Sequence, residues 1–134
     1  MYLNELSNEQ KDLFMDLAIF TMKSNGVVEE QEENLVRQYC VEMNIDFRSE
    51  NKCDSLFFVL KRLSELSTKS ELRKITIEII ALMYADTELA DEENDILKDL
   101  QDIFDFDSHL MGELVFSTRH LLLSLKMLEN IVKK

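Results

Sequence analysis

Apolar residues recur along the chain at spacings of three and four, which is typical of amphipathic helices rather than strands. The first such stretch follows Ser7, and Gln10 lies three residues on, which completes a capping-box pattern. Its apolar face is so broad that we expect this helix to lie at the centre of the fold. The apolar positions are Leu13, Phe14, Leu17, Ala18, Ile19, Phe20 and Met22.

The same spacing predicts five further helices, which begin or end at polar residues. They run from about Glu29 to Asn44, from after Ser49 to a break at Leu66–Thr68, from about Lys69 to Ala85, from about Asp91 to Phe104, and onward from a cap at Asp107 or Ser108. Their apolar stripes include Val28, Cys40, Phe57, Leu60, Ile79, Leu100, Leu121, Leu125, Leu128 and Ile131.

Composition supports an all-α fold, because the chain of 134 residues has no proline and only two glycines. No Pro/Gly/Ser-rich linker divides it, so residues 1–134 are interpreted as one domain, a compact bundle of six to seven helices. No apolar run approaches the ~20 residues of a membrane span. No signal peptide is visible at the start, and two cysteines are too few for a disulfide framework. We therefore expect a cytoplasmic protein.

A helix, a short loop and an acidic helix start occur twice, at an offset of 61 residues. The first copy reads MKSNGVVEEQEENLV from Met22, and the second reads MYADTELADEENDIL from Met83. The match lies in apolar spacing and loop position more than in identical residues. It predicts two pseudo-symmetric helix–loop–helix units around one core.

The second loop, Ala85-Asp86-Thr87-Glu88-Leu89 followed by Ala90-Asp91-Glu92-Glu93, resembles the Ala-Asp-Gly-Glu-Ile segment and the Ser/Glu run of the TerB tellurite-resistance family. The first loop, residues 24–32, is a weaker version, with Asn25 at the place of the Asp. The resemblance covers about residues 10–130. It implies a compact helical protein of a bacterial stress response to toxic oxyanions, or to phage and other damage, and it does not by itself imply an enzymatic reaction.

Charge points to the kind of partner. The net charge is −12 and the basic residues are scattered, which disfavours nucleic acid and favours a protein with a basic surface. Ten acidic residues lie within residues 86–107, opposed only by Lys98. Asp91, Asp95, Asp99 and Asp102 are spaced four, four and three, so they share one helix face. We expect this face either to be simply solvated or to dock a basic partner.

A weakly bound divalent cation is the alternative, because clustered carboxylates are the ligands that Ca²⁺ and Mg²⁺ prefer. The candidate ligands of the two loops are Asp86, Glu88, Asp91, Glu93, Asn25, Glu29 and Glu32. An EF-hand is not predicted, because Lys23 would occupy position 3 of the loop, which needs an oxygen ligand, and Leu82 and Tyr84 would occupy ligand positions of the second copy.

Catalysis finds little support in the sequence. His109 and His120 lie eleven residues apart on one predicted helix, which separates them by about 16 Å. No HExxH, CxxC, GxSxG or phosphate-loop motif is present. The sequence therefore predicts a non-enzymatic protein with no bound cofactor and an unknown oligomeric state.

Overall fold

The computed structural model describes residues 1–24, 26–85 and 91–134, and the side chains of residues 91–93 are outside the description. Within these ranges the chain forms six α-helices, one short 3-10 turn at Leu3–Glu5 and no strand, so the all-α prediction is confirmed. The helices are α1 (Asn8–Lys23), α2 (Glu30–Met43), α3 (Leu56–Leu66), α4 (Lys69–Met83), α5 (Asp91–Ile103) and α6 (Ser108–Lys133).

Helix α1 lies at the centre of the bundle, as its broad apolar face predicts. The Ser7 hydroxyl accepts a hydrogen bond from the Gln10 N–H at 3.2 Å, and the Gln10 side chain accepts from the Ser7 N–H at 2.8 Å. This capping box satisfies two of the N–H groups that a helix start otherwise leaves unpaired. Buried residues cover most of the helix circumference, and α1 packs against α2, α3 and α4.

The helices pack as one bundle in which the largest contacts join α1 to α3 and α4 to α6, while α1 packs on α4 and α5 packs on α3. Helix α2 is further tied to α4, because the buried Tyr39 hydroxyl donates to the Glu78 carbonyl oxygen at 2.7 Å. The second repeat loop, residues 86–90, lies outside the described residues, so the match of the two loops stays a prediction.

The predicted start of the third helix, after Ser49, is wrong. Residues 44–55 form a non-helical connector between α2 and α3. Helix α3 begins at Leu56, where the Ser55 hydroxyl accepts from the Phe58 N–H at 3.2 Å. The connector is held by the side chain of Asp16, which is only 4% exposed. Its Oδ1 atom lies 2.8 Å from Arg48 Nη1 and accepts from the Lys52 N–H at 2.9 Å. A polar network thus fixes a segment whose apolar pattern was too sparse to interpret.

Helix α6 runs beyond the bundle, so several of its predicted apolar positions are not core positions. With 26 residues it is about 39 Å long, whereas its neighbour α4 has 15 residues and is about 22 Å long. The half of α6 near α5 packs on the bundle, and Met111 and Thr118 are buried there. The remainder exposes Leu121, Leu125, Leu128 and Ile131.

Two further apolar predictions are wrong: Val28, in the first repeat loop, is about half exposed, and Phe57 at the start of α3 is 66% exposed.

Among the helices of the described ranges, none has the length and apolar character needed to cross a membrane.

Candidate docking groove

An open groove runs between α3 and α5, which pack against each other. Phe57 and Leu60 of α3 and Ile103 of α5 form its apolar lining, and Asp99 and Asp102 supply its charge. Its volume is about 260 Å³. This combination of an exposed aromatic ring and two carboxylates makes the groove our candidate site.

The two helices place these side chains through their core-facing positions. In α3 the buried residues Val59, Leu60 and Leu63 fix the inward face, which leaves Phe57 at the margin between core and solvent. In α5 the buried residues Ile96 and Leu100 fix the inward face, which leaves Asp99 and Asp102 exposed just outside the apolar stripe. The groove is therefore a direct consequence of helical periodicity in two packed helices.

Near the end of α5 the two helices are joined by a further contact. The Ser64 hydroxyl lies 3.5 Å from the Ile103 carbonyl oxygen, longer than a usual O–H···O hydrogen bond. This contact places the α5 end against α3 beside the groove.

The predicted acidic face of α5 is exposed where the structure describes it. Asp95, Asp99 and Asp102 are all exposed, and they form one row along the groove side of the helix. The side chain of Asp91, the fourth predicted member, lies outside the described residues. Like charges in one row repel each other, so the row favours a cationic neighbour.

Phe57 is the residue that sequence reasoning missed. Two adjacent aromatic residues on a helix point about 100° apart, so Phe57 and Phe58 cannot both face one narrow core stripe. Both are in fact more than half exposed. The adjacent pair at a helix start was therefore the available signal for an exposed apolar surface.

The predicted cation ligands are only partly described. Asn25, Asp86 and Glu88 lie outside the described residues, and so do the side chains of Asp91 and Glu93. Glu29 precedes α2, and its backbone N–H donates to the Glu32 carboxylate at 3.4 Å; Glu32 is fully buried. In the described part of the chain, no three metal-ligating side chains come together in a group that could hold a metal ion. Cation binding stays a prediction.

The histidines and cysteines occupy separate environments. His109 Nε2 lies 2.6 Å from a Glu113 carboxylate oxygen, and His120 stacks on the Phe116 ring, both on the surface of α6. Cys40 is buried against the Met15 sulfur at 3.6 Å, and burial raises the pKa of its thiol. A thiol with a raised pKa is a poor nucleophile, so Cys40 is a core residue in this arrangement.

A comparison of this chain with protein families, curated proteins and solved structures found no match. The TerB-like resemblance therefore stays a prediction that depends on the two loop sequences.

Proposed function

We propose that the protein is a non-enzymatic interaction module whose α3–α5 groove docks a basic amphipathic helix of a protein partner. The observation that supports this most directly is the juxtaposition of the exposed Phe57 ring with Asp99 and Asp102. Aromatic side chains at pocket margins are common anchors of protein interfaces. The carboxylates orient a basic partner and raise the rate of association, because oppositely charged surfaces steer the encounter.

An amphipathic helix suits the groove's form as well as its chemistry. The groove runs between two helices, and a third helix can lay an apolar stripe along such a channel. Basic residues beside that stripe then face the Asp95, Asp99 and Asp102 row. A nucleic acid offers negative phosphates to the same row, so the groove disfavours it.

Peptide binding measured by fluorescence anisotropy tests this function. The probe is a designed amphipathic helix of leucine and lysine, and its counterpart has every lysine replaced by glutamate. We expect the basic peptide to bind and the acidic peptide to bind at least about tenfold more weakly. Equal binding of the two peptides would contradict the charge assignment.

Matched variants locate the binding on the protein. Phe57→Ala is expected to weaken the basic peptide about tenfold, which is the usual scale of an interface anchor. Asp99→Asn with Asp102→Asn should weaken it and flatten its salt dependence. Glu30→Gln with Asp46→Asn removes the same charge from exposed positions on the α2 side of the bundle and should leave binding unchanged. If the control weakens binding equally, the site is wrong.

The cellular setting follows from the resemblance alone. A TerB-like protein belongs in a bacterial response to toxic oxyanions, phage or other damage, and we propose that the groove acts there through protein contacts. Adjacency of the gene to tellurite-resistance genes would support this setting. Adjacency to phage genes would redirect it while leaving the groove function intact.

A further inference from the structure

The distal half of α6, defined as residues 121–133, is an apolar helical segment that borders the bundle at its start and is largely exposed beyond it. Six of its large apolar side chains are each more than half exposed. They are Leu123, Leu125, Met127, Leu128, Ile131 and Val132. A helix that exposes a broad apolar face ordinarily packs on another element, so this segment needs a partner.

One row of this segment continues a row that is already packed. Residues spaced alternately three and four apart run from Met111 through Leu114 and Thr118 to Leu121, Leu125, Leu128 and Val132. Met111 and Thr118 are buried, Leu125 is about half exposed and lines a cavity together with Ile77 of α4, and Leu128 is 58% exposed. This spacing keeps one seam against a neighbouring helix. The seam therefore extends beyond the length over which its own bundle covers it.

The distal half of α6 differs in charge from the rest of the chain. Residues 121–133 carry two lysines and one glutamate, while the whole chain has a net charge of −12. Glu129 pairs with Lys133 at 3.4 Å, and Lys126 has no such partner among the described contacts. The segment is thus basic and amphipathic, which is the chemistry that the groove suits.

The spacing of the two sets of charges agrees. Lys126 and Lys133 lie seven residues apart on α6, and Asp95 and Asp102 lie seven residues apart on α5. Both pairs therefore span about 10.5 Å along one helix face. A distal α6 segment laid along α5 can place two ammonium groups opposite two carboxylates at once.

The segment cannot reach the groove of its own chain. Helix α6 begins at Ser108, five residues after the end of α5, and runs without a break to Lys133. Leu128 therefore lies about 30 Å along the helix from the end that adjoins α5. Only the α6 segment of another molecule can enter the groove.

We propose that two copies of this chain form a closed dimer in which the distal half of each α6 occupies the α3–α5 groove of the other. This inference rests on the proposed function, because it names a second copy as one occupant of the same groove. The exchange is reciprocal, so it closes on two equivalent contacts and leaves neither apolar surface exposed. A basic helix of another protein must then displace α6 to bind.

A charge-swap experiment read by analytical ultracentrifugation tests the dimer. The groove variant is Asp95→Lys with Asp102→Lys, and the α6 variant is Lys126→Glu with Lys133→Glu. We expect each alone to raise the dimer dissociation constant at least about tenfold, and all four changes in one chain to restore the dimer. Glu30→Lys with Asp46→Lys matches the groove variant in charge and should leave the dimer unchanged.

Other outcomes overturn the proposal. A wild-type chain that stays monomeric at high concentration does so, and so does an open series of higher oligomers. If the α6 variant dissociates the dimer while the groove variant does not, the two α6 segments pair with each other instead. A monomer that still binds the leucine–lysine peptide at the groove would reject the dimer and retain the proposed function. A dimer restored by the charge swap without peptide binding would restrict the groove to self-association.

Discussion

The connector at residues 44–55 is polar and closely held, whereas the distal half of α6 is apolar and largely uncovered in the described structure. In the connector, one buried carboxylate organises the segment: Asp16 contacts Arg48 and Lys52, and its backbone carbonyl oxygen accepts from the Asn51 amide at 3.0 Å. In the distal half of α6, Leu123, Leu125 and Leu128 are each more than half exposed in the described structure. Apolar content therefore does not by itself predict where the core lies.

The difference shows that a segment is held in place when neighbouring residues pair its polar groups or cover its apolar groups. The buried charge of Asp16 in α1 is tolerated because three groups of the connector surround it. The exposed apolar end of α6 has no such neighbours among the described residues, and a second molecule can supply them. The connector is held within the bundle, while the distal half of α6 presents an apolar surface to solvent.

Asp16→Ala should produce the largest effect on the connector. It leaves Arg48 and the Lys52 N–H without their carboxylate, and breaking a buried ion pair from one side costs about 3 kcal/mol or more. Urea unfolding followed by circular dichroism measures the loss. Asp12→Ala is the matched control one turn earlier on α1, because that carboxylate is about half exposed and pairs with Lys52 at 3.2 Å. The control should cost under about 1 kcal/mol. Equal losses would show that Asp16 does not organise the connector.

The two halves of α6 should respond differently to the same kind of truncation. Met111 is 7% exposed, so Met111→Ala is expected to lower the free energy of unfolding by about 2–3 kcal/mol. Leu128 is 58% exposed, so Leu128→Ala should change it by less than about 0.5 kcal/mol in dilute protein. At concentrations where the proposed dimer forms, Leu128→Ala should become destabilising. A large loss in dilute monomer would instead mean that the distal half is packed within one chain.

Much of the fold was predictable because local signals and packing agree in it. The Ser7–Gln10 capping box and the broad face of α1 identified the central helix, and the break near Ser67 separated α3 from α4. The start of α3 was misplaced because the connector owes its order to Asp16, a residue distant in sequence. Contacts between residues 32–36 positions apart leave no periodic signal along the chain.

The candidate site was predictable in its charge and not in its apolar part. The four-four-three spacing of the aspartates identified one face of α5, and the described members Asp95, Asp99 and Asp102 lie on it. The sequence could not show that Phe57 and the distal half of α6 are exposed. A helical pattern shows which residues share a face, but it does not show whether a neighbouring element covers that face. For α6, the exposure follows from its greater length than α4, its main neighbour, and the packing of α6 on α4 is seen only in the folded structure.

The two glycines offer the smallest contrast, in which one substitution acts in opposite directions. Gly26 follows α1 with φ of +80°, and a Cβ there meets no atom within 4 Å, so Gly26→Ala adds only backbone strain of about 1 kcal/mol. Gly112 lies inside α6, where a Cβ also meets nothing, so Gly112→Ala should stabilise the helix by about 0.5–1 kcal/mol. Thermal unfolding should therefore shift downward for the first and upward for the second. A downward shift for Gly112→Ala would mean that this face of α6 is covered in solution, which the exposed surface of a single copy does not explain.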